Sequence, residues 1–148
     1  METYSNELNN CFKKGELKKT IPNLRDSRQD IKQAEFFLNE ADDLIDLGKK
    51  EFVMLALYNS VFHAGRAILN IQGIKERSHY CLQKYLSENS TLAHEDIYLF
   101  DKLRIKRTKI QYDLEKTSIT ENLDELYNQV EDFIEKVKKE INYKEDIT

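Results

Sequence analysis

Apolar residues recur along this chain at three- and four-residue spacing over long stretches, the period of a single helical face. Ile31, Ala34, Leu38, Ala41 and Ile45 form one such stripe, widened by Phe37 and Leu44. It predicts a helix from Leu24 to Leu47. Asn23 is its N-cap, Asp26 sits in the favoured acidic first turn, and Gly48 follows its end. Pro22 holds Ile21 out of the helical region and sets the break before it. Ahead of that break, residues 1–22 are weakly patterned. Leu8, Cys11 and Phe12 suggest a short N-terminal helix that Gly15 interrupts.

The next stretch, EFVMLALYNSVFHAGRAILNI, is apolar on most of its surface, as befits the central helix of a bundle. It predicts a helix from Lys50 to Ile71, ended by Gln72 and Gly73. Its polar residues Asn59, His63, Arg66 and Asn70 share one face, and Ala64 and Gly65 leave room for a close neighbour. Ser78 caps a short helix through Tyr85 and Leu86, and residues 87–91 read as a loop. A further helix from Ala93 to Glu115 follows, with Leu99, Leu103, Ile110 and Leu114 on one narrow face. The last helix starts at Ser118-Ile119-Thr120-Glu121, a capping-box pattern. Its stripe runs through Leu123, Leu126, Val130, Phe133, Val137 and Ile141, and residues 144–148 form a frayed tail.

Long helices joined by short connections make antiparallel neighbours. The expected architecture is all-α: one domain over 1–148, an up-and-down bundle of four main helices plus one or two short ones. Composition agrees, since 148 residues with four glycines and one proline leave little material for a turn-rich sheet protein. No apolar run approaches the roughly 18 residues of a membrane span, and the N-terminus lacks the pattern of a signal peptide. Cys11 and Cys81 make no CxxC, so reduced thiols in a cytoplasmic protein are expected, with neither a disulfide nor a zinc site.

Net charge is −4, which excludes polyanion binding by bulk charge and directs attention to local patches. The densest is on the 93–115 helix: Lys102, Arg104, Lys106, Arg107 and Lys109. Arginine and lysine so placed suit phosphate binding, arginine through its planar fork; the alternative is a solvated face balanced by acids. Arg107 and Tyr112 lie about 140° apart on a regular helix, so one protomer cannot aim both into a small pocket. On chemistry alone Tyr112 reads as a helix-edge ring with a wet hydroxyl. His63 and Arg66, one turn apart, could form a polar wall facing the basic helix, with His79 nearby. Their plainer readings are a satisfied buried histidine and first-turn solvation. Three dispersed histidines without HxxxH or HExxH make no metal site. Tyr58, Tyr80, Tyr85 and Tyr98 read as core and interface rings.

The segments YNSVFHAGRAILNIQGIKERSHYCL, from Tyr58 to Leu82, and RIKRTKIQYD, from Arg104 to Asp113, resemble the HEPN family of small helical-bundle proteins. Tyr58, His63, Ala64, Arg66, Ala67, Gly73, Ser78 and His79 match the pattern in order, and the helix order extends the resemblance over roughly Ile31 to Ile141. It implies a homodimer whose late helices meet around a basic cleft. Many members are ribonucleases, several of them toxins paired with a nucleotidyltransferase antitoxin; others bind RNA or nucleotide without cutting. The ribonuclease members carry an arginine and a histidine on the late helix. Here Arg107 is followed at that spacing by Tyr112, which titrates far from neutrality.

Two functional readings follow. One is a metal-independent, cofactor-free ribonuclease of a toxin–antitoxin or defence system, with Arg104, Arg107 and Tyr112 at the reaction centre. Lys102, Lys106, Lys109, His63, Arg66 and His79 would bind the nucleic acid or nucleotide, with His63 or His79 supplying the titrating group. The other is a non-catalytic binding or scaffolding module that uses the same cleft. A purely structural protein would instead show Arg104 and Arg107 buried and paired with acids.

Overall fold

The computed structural model of the protein describes residues 4–113 and 117–144. Leu114 and Glu115 of the expected basic helix, and residues 145–148 of the expected tail, lie outside the described residues. Among the described residues six helices and two short strands follow in the order α1 (Asn6–Lys13), β1 (Leu17–Lys19), α2 (Leu24–Asp46), α3 (Lys50–Gln72), β2 (Ile74–Glu76), α4 (His79–Asn89), α5 (His94–Tyr112) and α6 (Leu123–Glu140). The expected all-α bundle is the observed one, with α2, α3, α5 and α6 as its main helices.

Helix α3 is the hub and packs against α2, α4, α5 and α6. Tyr58, Phe100, Phe133, Met54, Leu57 and Ile68 fill the core beside the predicted stripe of Ile31, Ala34, Leu38 and Ala41. Two hydroxyls fix α2 on α3: Ser27 donates to the Ala67 carbonyl at 2.8 Å and Ser60 to the Ala34 carbonyl at 2.7 Å. Buried hydroxyls bonded to a neighbouring backbone set register as well as stability. Gly65 brings α4 and α5 close, because a Cβ there would stand 2.7 Å from Leu86 Cδ1 and 3.4 Å from Phe100 Cε2.

By length and composition α3 could cross a bilayer, against the expectation from apolar runs; Asn59, His63 and Arg66 break the run without lowering the average enough. Sixty-seven per cent of its apolar window is buried inside the bundle.

Four further features differ from the sequence reading. Strands β1 and β2 pair antiparallel, Leu17 with Glu76 and Lys19 with Ile74. Three-residue strands are too short to show alternation, and this pair forms because Leu17 and Ile74 are both buried. Helix α4 continues past Leu86 to Asn89, where Asn89 and Ser90 side chains bond back to the Tyr85 and Leu86 carbonyls. Helix α6 begins at Leu123 under an Asn122 cap, not at the Ser118 box. Glu121 is drawn away to Lys106, whose ammonium bonds its carboxylate at 3.0 Å and the Ser118 carbonyl at 3.1 Å.

The fourth is a correction: Cys11 and Cys81 are joined in a disulfide rather than left as free thiols. Helix α1 packs on α4 and brings together two cysteines 70 residues apart, a proximity no local spacing reveals.

Candidate nucleic-acid interface

The central helix places Tyr58, Phe62 and Arg66 at successive four-residue steps, which is one face. Ser78 caps α4, its hydroxyl accepting from the Cys81 N–H at 3.1 Å, and this cap sets His79 at the first helical position, against that face. The His79 ring stacks on Phe62 at 4.2 Å between centroids, 13° from parallel. Its Nδ1 is 2.6 Å from the hydroxyl of buried Tyr58. A phenol can donate to that nitrogen or accept from it; in the second tautomer Nε2 carries a free lone pair.

Guanidinium groups gather round this stack. Arg107 lies 5.5 Å over the Tyr58 ring and Arg66 lies 6.0 Å over Phe62. Burial lowers the His79 pKa from its ordinary 6.5, and Arg107, Arg104 and Arg66 lower it further, so the ring is neutral at neutral pH. Burial also raises the Tyr58 pKa far above the usual phenol value, against the pull of Arg107 and Arg104. Tyr58 is therefore a permanent neutral hydrogen-bonding partner that orients the histidine.

The other residues singled out from sequence are placed as follows. Arg104 is half-buried; it donates to Gln83 Oε1 at 2.9 Å and Asp101 Oδ1 at 2.8 Å, and stacks over Tyr80 at 5.5 Å. Arg107 has no carboxylate partner among the described residues. Only one of the two arginines thus meets the condition set by a purely structural role. Lys106 is engaged by Glu121. Lys102 turns to a separate cleft between α5 and α6, beside Glu95, Asp96 and Asp132. Lys109 is exposed on α5. Tyr112 is 83% exposed at the end of α5, while Arg107 points back onto Tyr58.

His63 stands on the far side of Phe62, edge-on to it at 5.5 Å. Its Nδ1 meets Asp30 Oδ1 at 2.9 Å, and Asn70 donates to Asp30 Oδ2 at 2.6 Å. Arg66 reaches Glu76 at 3.4 Å. The shared face of His63, Arg66 and Asn70 is real, and it borders a cleft of its own between α2, α3 and β2.

Sequence reasoning read Tyr58 as a core or interface ring, which its burial bears out, but assigned it no place in the site, and it gave Phe62 no role. The four-by-four spacing Tyr58, Phe62, Arg66 was the available signal. No metal set stands beside this cluster among the described residues. Cys11, Glu16 and Cys81 lie within ligand range of one another, but sulfurs joined to each other offer no thiolate.

A family model described as the HEPN domain matches residues 27–141. No curated protein matches the chain.

Proposed function

The chain belongs to the HEPN domain family, and from that premise we propose that it is a homodimeric RNA- or nucleotide-binding protein that grips phosphate with Arg66, Arg104 and Arg107 around His79. The observation that carries this reading is a neutral histidine, held by Tyr58 and set in the field of three guanidinium groups. Guanidinium suits phosphate oxygens in geometry and charge. A phosphate seated there would offset the three positive charges and raise the His79 pKa toward neutrality.

The same arrangement supports metal-independent RNA cleavage. His79 Nε2 removes the ribose 2′-hydroxyl proton, the 2′-oxygen bonds to phosphorus, and the bond to the 5′-oxygen breaks. Solvent protonates that leaving oxygen, giving a 2′,3′-cyclic phosphate and a 5′-hydroxyl. The arginines stabilise the charge that builds on phosphorus-bound oxygen. For the dimer, the support is on α5: Ile105 is 42% and Tyr112 83% exposed, seven residues apart and so on one face, which is turned away from Arg107. The absence of a histidine after Arg107 on α5, where Tyr112 stands at the family spacing, favours a second reading, a binding module of a toxin–antitoxin or defence pair that holds RNA, or a nucleotidyltransferase partner, without cutting.

Light scattering on the purified protein tests the dimer. RNA incubated with it in excess chelator tests cleavage; the expected result is cyclic-phosphate ends that disappear in His79→Ala and Arg107→Ala. Binding that weakens steeply with salt, without cleavage, selects the second reading. Absence of both binding and cleavage removes the two together.

A further inference from the structure

Beside the arginine cluster lies a cleft of about 370 Å³ between α2, α3 and β2 that the phosphate reading leaves unused. Its walls carry Gln29, Gln33, Asp30, Asn70, Arg66 and Glu76. Arg66 belongs to both places: it lines this cleft, lies over Phe62 and contributes to the positive field at His79. Arg66 thus makes the cleft adjoin the arginine cluster.

The lining suits a neutral, planar, hydrogen-bonding group. Gln29 and Gln33 stand one turn apart on α2 with no side-chain partner among the described residues. Each offers both a donor and an acceptor. Asn70 spends its amide N–H on Asp30 and keeps its carbonyl oxygen as an acceptor. Asp30 and Glu76 add carboxylate oxygens, which accept from amines and repel phosphate. Three carboxylates, Asp26, Asp30 and Glu76, outnumber the two cations Arg66 and Lys75 on this lining, and Arg66 is itself paired with Glu76, so the cleft favours an amine-bearing group over a second phosphate.

We propose that this cleft is a nucleobase pocket, and that it selects a base carrying an exocyclic amine attached to the phosphate held by Arg66, Arg104 and Arg107. The proposal rests on the phosphate reading above. The amides of Gln29 and Gln33 contact the base edge, the carboxylates take its amine, and Phe62 and His63 form the wall between base and phosphate.

Isothermal titration of the full chain with ribose 5-phosphate, AMP, CMP, GMP and UMP tests it. The expected result is that AMP, CMP and GMP bind at least about tenfold tighter than ribose 5-phosphate, with UMP nearest the sugar phosphate. The Gln29→Ala/Gln33→Ala variant, altered only at exposed positions, should close that gap and leave ribose 5-phosphate affinity unchanged. Equal affinity for all five ligands overturns the pocket while the phosphate site stands. A gap that survives the double variant, or UMP binding as tightly as CMP, also overturns it. Failure of every ligand to bind removes the phosphate reading and the pocket with it.

Discussion

Reducing the Cys11–Cys81 bond should destabilise the whole bundle. The bond closes a loop between residues 70 apart in sequence, tying buried positions on α1 and α4. Loop-closure entropy for that span is worth about 4 kcal/mol at 25 °C. A chain of 148 residues unfolds with an entropy of about 0.3 kcal/mol/K. The melting temperature should therefore fall by roughly 13 °C on reduction. Loosening should be greatest at α1, whose polar contacts with α4 are exposed: Ser5 to Glu88 at 2.8 Å, Lys84 to Glu7 at 3.1 Å, and a Tyr80–Glu7 hydrogen bond. Thermal melts followed by circular dichroism, with and without a phosphine reductant, read the shift. The Cys11→Ser/Cys81→Ser variant should melt with the reduced protein. A count of two reactive thiols in protein denatured without reductant, with melts that coincide, would refute the reasoning and restore the free-thiol expectation.

Three other outcomes follow from the packing and the charges. Because the His79 pKa is lowered by burial and by Arg107, Arg104 and Arg66, its contribution to stability is complete above its unfolded value of 6.5 and is lost as pH falls toward the folded value; urea midpoints between about pH 7.5 and pH 5 should drop less in His79→Gln than in the parent. Gly73→Ala places a Cβ 2.5 Å from the Thr20 carbonyl oxygen at a φ of +73°, and should cost about 3 kcal/mol or more in urea denaturation, since backbone rather than a flexible side chain must move. Asp30→Ala strips the partners from His63 and Asn70 and should cost about 2–3 kcal/mol, with Asp30→Asn recovering part of it; a change within about 0.5 kcal/mol would show that water replaces the carboxylate.

The fold was largely legible because helices announce themselves locally. The Asn23 cap on α2 and the Ser78 cap on α4 act within three residues, Gly73 ends α3 in the left-handed conformation, and buried stripes repeat within each helix. The Ser118 box failed for an informative reason. It is a local signal of modest energy, and the half-buried Lys106–Glu121 pair, which belongs to the tertiary packing, competed for the same glutamate.

The sequence by itself determined that this chain would be a helical bundle with α3 at its centre and cations concentrated on α5, because period, capping and charge density are properties of neighbours along the chain. Only the tertiary structure decided which cations converge. It turned Lys102 to another cleft, engaged Lys106 with Glu121 and Arg104 with Gln83, and left Arg107 beside Tyr58 and His79. It also joined Cys11 to Cys81 and set Tyr58 against a histidine 21 positions away. Those pairings depend on how helices cross, and crossing is fixed by the shapes that close-packed side chains make together, which no single stretch of the chain encodes.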